Sequence, residues 1–330
     1  MPLWATMLVL VVAPASAASQ TSCRGLRIPW TLDGPRLLEG APDRGMLRRG
    51  AQFRGWSCAG SEAPGRPDPG LSPNPWALRG AYRSAYPVDR NNGAVWEGRG
   101  VSGGASGGFR WSGGPLEVVV GPTVSFQANR SFAIAPSQDP LQYPFHAVDL
   151  PQRLGTASFW TIDPGQTAAE LAIGRVGAAI SWEDLWWGPA RRYPLLLSNT
   201  GPGSPHVLVG ARRPLAIGIG TVRVQGLAAR LDASRFFAPA DQGARLMTGL
   251  FAEFYPSIAP GLGFGFAALD HTLWSAAPSR AAWTFGFSSD GVEADDALLS
   301  LTASWTMPES GLELYGEFGR EESWRSVHDL

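Results

Sequence analysis

The residues best equipped for chemistry stand in one stretch. Glu183-Asp184 precede Trp186-Trp187-Gly188-Pro189, and Arg191-Arg192-Tyr193, Ser198-Asn199, Pro205-His206 and Arg212-Arg213 follow. Indole rings stack on the apolar C–H faces of sugars. Arginine donates to sugar hydroxyls and pairs bidentately with uronic acid carboxylates. The stretch therefore has the groups of a carbohydrate contact, and the plain alternative is that they line a rim and bind nothing. A glycosidase needs two carboxylates flanking one bond. Glu183 and Asp184, read as strand neighbours, point to opposite faces, so a polar strand end suits them better, and Asp163 is the third carboxylate in view. The same alternation would send Trp186 and Trp187 to opposite sides, one toward lipid or core and one toward a lumen or ligand. His146, His206, His271 and His328 are scattered, without metal-ligand spacing to Cys or a carboxylate. Gly261-Leu262-Gly263-Phe264-Gly265 alternates as a strand, not as the phosphate loop it mimics. Gly286-Phe287-Ser288-Ser289-Asp290-Gly291 is no nucleophile elbow. No catalytic residue, cofactor site or metal site is assigned.

These groups must be positioned by strands. The 330 residues carry 14 Trp and 41 Gly, a pairing that suits strands and turns better than helices. From Trp76 onward, short runs alternate with Gly, Pro, Asn and Asp. Leu116-Glu117-Val118-Val119-Val120 and Thr123-Val124-Ser125-Phe126-Gln127 flank a Gly-Pro turn, and residues 170–182 read as two runs broken near Gly174 and Gly177. Residues 220–233 set Val222, Val224, Leu227, Ala229 and Leu231 against Arg223, Gln225 and Arg230. Further runs lie at 250–255, 261–269, 283–287, 299–305 and 312–318. One face of the later runs is apolar or aromatic and the other is Gly, Ser, Thr or a carboxylate. This is the dyad pattern of a transmembrane antiparallel barrel with a polar lumen, and Trp274, Trp283 and Trp305 fit interfacial girdles. A soluble β-sandwich would produce a similar alternation. The expectation is an all-β outer-membrane β-barrel over 76–330. About a dozen strands can be drawn, and the chain ends in Trp324-Arg325-Ser326-Val327-His328-Asp329-Leu330 without a visible closing strand, so a C-terminally incomplete barrel is part of the reading.

The N-terminus supplies a route to that membrane. Residues 8–12 are apolar and Ala15-Ser16-Ala17 offers a cleavage site, which reads as a secretory signal over 1–17. Polar Gln20-Thr21-Ser22 before Cys23 do not suit a lipobox. Residues 18–75 read as a periplasmic segment with short helical turns at Leu37-Leu38-Glu39 and Met46-Leu47-Arg48-Arg49. Pro64, Pro67, Pro69, Pro73 and Pro75 then form a linker without regular structure. In an oxidising compartment Cys23 and Cys58 could close a loop of about 35 residues, worth roughly 3–4 kcal/mol in the chain-entropy model; two unpaired thiols are the alternative. A net charge of −1 gives no reason to expect nucleic acid. All 27 basic residues are arginine, which fits a GC-rich codon bias.

Several motifs together resemble the capsule assembly Wzi family. They are Asp149-Leu150-Pro151-Gln152-Arg153, Ile162-Asp163-Pro164-Gly165-Gln166, Trp186-Trp187-Gly188-Pro189, Leu195-Leu196-Leu197-Ser198-Asn199, Pro202-Gly203, Pro205-His206 and Arg213-Pro214-Leu215. Tyr86-Pro87 with residues 91–100 looks like the family's early strand region, and Glu317-Phe318-Gly319-Arg320 like a late one. The resemblance runs from about 80 to 320. It implies an outer-membrane barrel with helical elements on the periplasmic side. It also implies a lectin role, holding capsular or extracellular polysaccharide at the cell surface, and not catalysis. One departure is Ser204, where the family pattern carries an aromatic. On this reading Trp186, Trp187, Gly188, Pro189, Arg191, Arg192, Ser198, Asn199, Pro205, His206 and Arg213 are motif or glycan-binding candidates, and the partners are polysaccharide and outer-membrane lipid. A porin-like or transport barrel is the first alternative, and a surface glycan-processing enzyme the second.

Overall fold

A computed structural model describes residues 11–14, 69–87, 92–133, 154–155, 157–190, 194–211, 214–232, 243–277, 296–307 and 312–321. The described chain is all-β. Its strands are β1 (Val11–Pro14), β2 (Gly70–Arg83), β3 (Gly100–Gly113), β4 (Leu116–Val120), β5 (Thr123–Gln127), β6 (Phe159–Asp163), β7 (Ala168–Ile173), β8 (Val176–Ser181), β9 (His206–Ala211), β10 (Leu215–Ala216), β11 (Gly220–Leu231), β12 (Arg245–Pro256), β13 (Leu262–Leu273), β14 (Asp296–Met307) and β15 (Leu312–Glu321). They form one antiparallel sheet, in which β15 to β11 follow one another in chain order and lead through β9, β8, β7 and β4 to β3, with β2 on the far edge of β3. Among the described residues no helix is long and apolar enough to cross a membrane. Strands β2, β3 and β11–β14 are 12–14 residues long, more than the roughly 9–11 a tilted spanning strand needs.

The side-chain period of two sorts these strands into an outside and an inside. Arg223, Gln225, Leu227 and Ala229 on β11 stand opposite Glu253, Phe251, Gly249 and Met247 on β12. Those in turn oppose Gly265, Ala267, Leu269 and His271 on β13. This face is buried, and its charged residues are paired: Arg223 Nε donates to Glu253 Oε2 at 2.8 Å, and Ser300 Oγ donates to Glu317 Oε1 at 2.8 Å. The alternate positions are largely apolar and open, except at one end of β12 and β13, where Leu246, Thr248, Ala268, Asp270 and Thr272 are buried. Leu78 and Ile162 are each 80% exposed, and Trp76, Trp160, Ile173, Val209 and Leu301 are also exposed. Water would penalise so much bare apolar surface, whereas lipid matches it. Polar inside and apolar outside is the pattern of a membrane β-barrel.

Several sequence readings fall where expected. The runs at 116–120 and 123–127 are β4 and β5 at the same boundaries. Residues 170–182 split into β7 and β8 around a turn at Gly174, where φ is +60°. Trp305 is exposed on β14, and Trp274, just past β13, is exposed with the Arg230 guanidinium 5.4 Å from its ring. Other boundaries are corrected. The first long strand begins at Gly70, not Trp76, and contains Pro73 and Pro75. A register shift between Asn74 and Ala77 carries the ladder past the proline-containing stretch. Strand β3, rich in Gly and Ser, is too weakly alternating to stand out in the sequence. Val11–Pro14, inside the expected signal, pairs with Leu312–Tyr315 along the edge of β15. Cys23, Cys58, Trp283 and the expected helical turns at 37–39 and 46–49 lie outside the described residues.

Candidate functional site

Between β8 and β9, the described residues 182–190 and 194–205 fold into the lumen. The base of this connection is the Ser181–His206 pair. Ser181 Oγ accepts from Glu183 N–H at 2.9 Å where the chain leaves β8. Trp187 then forms an isolated bridge to Leu197, its N–H donating to the Leu197 carbonyl at 3.1 Å. The indole of Trp187 packs against Phe251, with ring centroids 5.4 Å apart, and joins Leu185, Leu208, Leu227, Met247 and Leu269 in one buried cluster. The site for this ring is made by an absence: a Cβ on Gly249 would sit 2.9 Å from it.

The expectation that Trp186 and Trp187 stand on one strand is corrected. They lie on an inward loop, and both are buried, at 3% and 1% exposure. Trp186 Nε1 donates to the Ala190 carbonyl at 3.1 Å. Neither ring offers an open face, so the pair fills the lumen. Gly188 follows at φ +111°, where any side chain would also press on the Glu317 carboxylate at 2.8 Å. Pro189 continues that turn. Leu195 packs on Gly319 of β15, and its N–H donates to Glu317. Ser198 Oγ accepts from Thr200 N–H at 3.2 Å. The Pro205 carbonyl accepts from Arg230 N–H at 3.0 Å. His206 is buried at the start of β9, with Nδ1 2.7 Å from the Ser204 carbonyl. Arg191, Arg192, Tyr193, Arg212 and Arg213 lie outside the described residues, so the cationic half of the expected sugar contact is not placed.

A second inward segment, residues 92–99, lies against β2 and β3. Arg79 Nη1 donates to the Asn92 carbonyl at 3.0 Å, and Arg83 pairs with the buried Glu97 carboxylate. Val95 fills the space above Gly104. Arg99 closes the end, donating to the Ser84 and Ser131 carbonyls at 3.1 and 2.6 Å. The family resemblance places residues 91–100 in an early strand region; here 92–99 form a lumen segment between β2 and β3.

The two segments meet. Gly93 N–H donates to the Asn199 carbonyl at 2.8 Å, and a Cβ on Gly93 would touch Asp184 Oδ2 at 3.0 Å. Asp184 accepts from Gly203 N–H, and Gly203 lies so close to the backbone at 182–183 that a side chain there would collide with the Trp182 carbonyl. Burial, helped by nearby Asp163 and Glu183, pushes the Asp184 carboxyl up to about 7 from an ordinary 3.8; the Gly203 bond partly offsets this. Motifs far apart in sequence thus share one interior: Asn92-Gly93, Asp163, Asp184, Trp187-Gly188, Asn199, Gly203 and Glu317. Sequence reasoning missed the lumen charges Arg79, Arg83, Glu253 and Glu317 as partners. The available signal was a lone carboxylate inside an apolar or small-residue run, as at Glu253 and Glu317; nothing comparable marks the partners of Arg79 and Arg83.

Fold and lumen define a membrane β-barrel whose interior is occupied by its own chain. No family model and no curated protein matches the chain. A solved structure with a similar fold is Wzi of Escherichia coli, described as an outer membrane protein involved in group 1 capsule assembly and a carbohydrate-binding β-barrel. The TM-score is 0.50 at 12% identity, over 78% of this chain and 50% of that one. The chain thus spans about half the length of that neighbour. The likeness establishes a shared barrel fold; at this identity it does not establish the family.

Proposed function

We propose that this chain is an outer-membrane protein that binds capsular or extracellular polysaccharide and helps attach or assemble it at the cell surface. The observation that carries the reading is the filled lumen. Two inward segments joined at Gly93–Asn199 occupy the space a porin would leave to water. This counts against the porin-like alternative and favours a barrel that presents a surface. The fold likeness to a carbohydrate-binding barrel supports the same reading. Export through a signal at 1–17 belongs to it, and so does family membership. The sugar contacts we propose are Arg191, Arg192 and Arg213, because the tryptophans are committed to packing. We propose no catalytic role for Asp163, Glu183 and Asp184. They lie at the meeting point of the two lumen segments, where their contacts are to the chain itself. Deletion of the gene should raise shed polysaccharide relative to cell-bound polysaccharide; an unchanged ratio rejects the reading.

A further inference from the structure

The place where the two lumen segments touch is built around one carboxyl group. Asp184 abuts the Gly93 backbone of segment 92–99 and accepts from Gly203 N–H within its own loop. Gly93 in turn donates to Asn199 of that loop. Three elements face this junction with titratable groups. Asp163 comes from the β6 wall and Glu183 from the loop, and both act electrostatically on Asp184. His206 comes from β9 and faces Glu183. It is 3% exposed, and its Nε2 is buried without a hydrogen-bond partner among the described residues. From segment 92–99 the contact to Asp184 is uncharged backbone.

We propose that Asp184 is a protonation-controlled latch: its neutral carboxyl lets loop 182–205 and segment 92–99 seat together in the lumen, and its ionisation loosens them. A neutral Asp184 keeps the Gly203 bond through its carbonyl oxygen and adds no charge beside Asp163 and Glu183. An ionised one places another negative charge in a buried space where, among the described residues, the Gly203 N–H donates to it. Among the described residues the nearby arginines are engaged elsewhere: Arg79 donates to the Asn92 carbonyl, Arg83 pairs with Glu97 and Arg223 with Glu253.

The direction of the pH effect follows. Asp184 titrates higher in the seated state than in a released, solvated loop, so the seated state holds the proton more tightly. Seating is strongest below the ordinary carboxylate range near 4, weakens as pH rises toward about 7, and levels off above that. The latch is independent of the glycan reading, because it concerns how the lumen is filled and not what the surface binds.

Amide hydrogen exchange on the intact protein in lipid nanodiscs tests it, with rates corrected for the chemical pH dependence of exchange. From pH 5 to pH 8, amides of 182–205 and 92–99 should lose protection by about tenfold or more, tenfold being the equivalent of one pKa unit. Amides of β12 in the same sample should hold theirs, which separates release of the segments from unfolding of the wall. Asp184→Asn keeps the shape and the acceptor oxygen but cannot ionise, and should retain at pH 8 the protection wild type shows at pH 5. Equal protection of wild type at both pH values overturns the proposal, even if the variant fails to fold. A variant that loses protection as wild type does also overturns it.

Discussion

The two segments inside this barrel are held in different ways. Loop 182–205 is seated by apolar packing: Trp187 and Leu185 enter a cluster lined by β9, β11, β12 and β13. Segment 92–99 is seated by charge: Arg79 and Arg83 reach across from β2 to the Asn92 carbonyl and to Glu97. Apolar burial is non-directional and tolerates salt, whereas a half-exposed ion pair is directional and screened. One lumen therefore contains an anchor that depends on shape and an anchor that depends on electrostatics. They share a junction at Gly93, Asp184 and Asn199. The difference can be broken from either side.

The largest effect is expected at the apolar anchor. Trp187→Ala removes a ring that is 1% exposed and leaves a cavity between Phe251, Gly249 and Leu269. Truncating a fully buried tryptophan costs about 3–5 kcal/mol. The urea midpoint of the folded barrel in micelles should fall accordingly, and protection of 182–205 should fall with it. A midpoint within error of wild type would mean that the loop contributes little to holding the wall together. A smaller effect is expected at the electrostatic anchor. Arg83→Ala leaves the Glu97 carboxylate buried without its cation, but the arginine side chain is itself 36% exposed, so solvent screens part of the pair. A cost of about 1–2 kcal/mol is expected, shrinking as salt is raised, with protection lost in 92–99 while the Trp187 cluster keeps its own. If Arg83→Ala releases both segments equally, the two anchors are one cooperative unit and the contrast fails.

How much of this was legible beforehand divides along the same line. The wall was readable because a two-residue period survives in single-strand runs: Arg223, Gln225 and the apolar residues between them announce an inside and an outside. Gly100–Gly113 was not, since Gly and Ser populate both faces there and the period fades. The lumen loop is marked by Trp186-Trp187-Gly188-Pro189, but its place off the strands is not. Strand alternation does not carry over to residues outside the ladder, and this connection leaves it where β8 ends at Ser181, with Glu183 N–H donating to Ser181 Oγ. The polar anchor was invisible for another reason. Arg83 and Glu97 are 14 residues apart with no periodic relation, and only the β2–β3 register brings segment 92–99 back over β2. Pairings made by topology, not by local spacing, leave no mark in a single sequence.

The smallest effect separates motif from anchor. Ser198 belongs to the most family-like stretch of the chain, yet the hydrogen bond it makes here is a local one, accepting from Thr200 N–H at 3.2 Å beside the exposed tip of the loop. Water can replace it. Ser198→Ala should therefore cost only about 0.5 kcal/mol, the low end for a solvent-accessible hydrogen bond. Its neighbour Asn199 reaches segment 92–99 through a backbone carbonyl, which the substitution does not alter. The urea midpoint should barely move, and protection at Gly93 should stay at the wild-type level. A loss approaching that of Trp187→Ala would show that the Ser198 turn, and not the buried tryptophan, sets the path of the loop. The shape-dependent anchor would then begin at the tip instead of in the core.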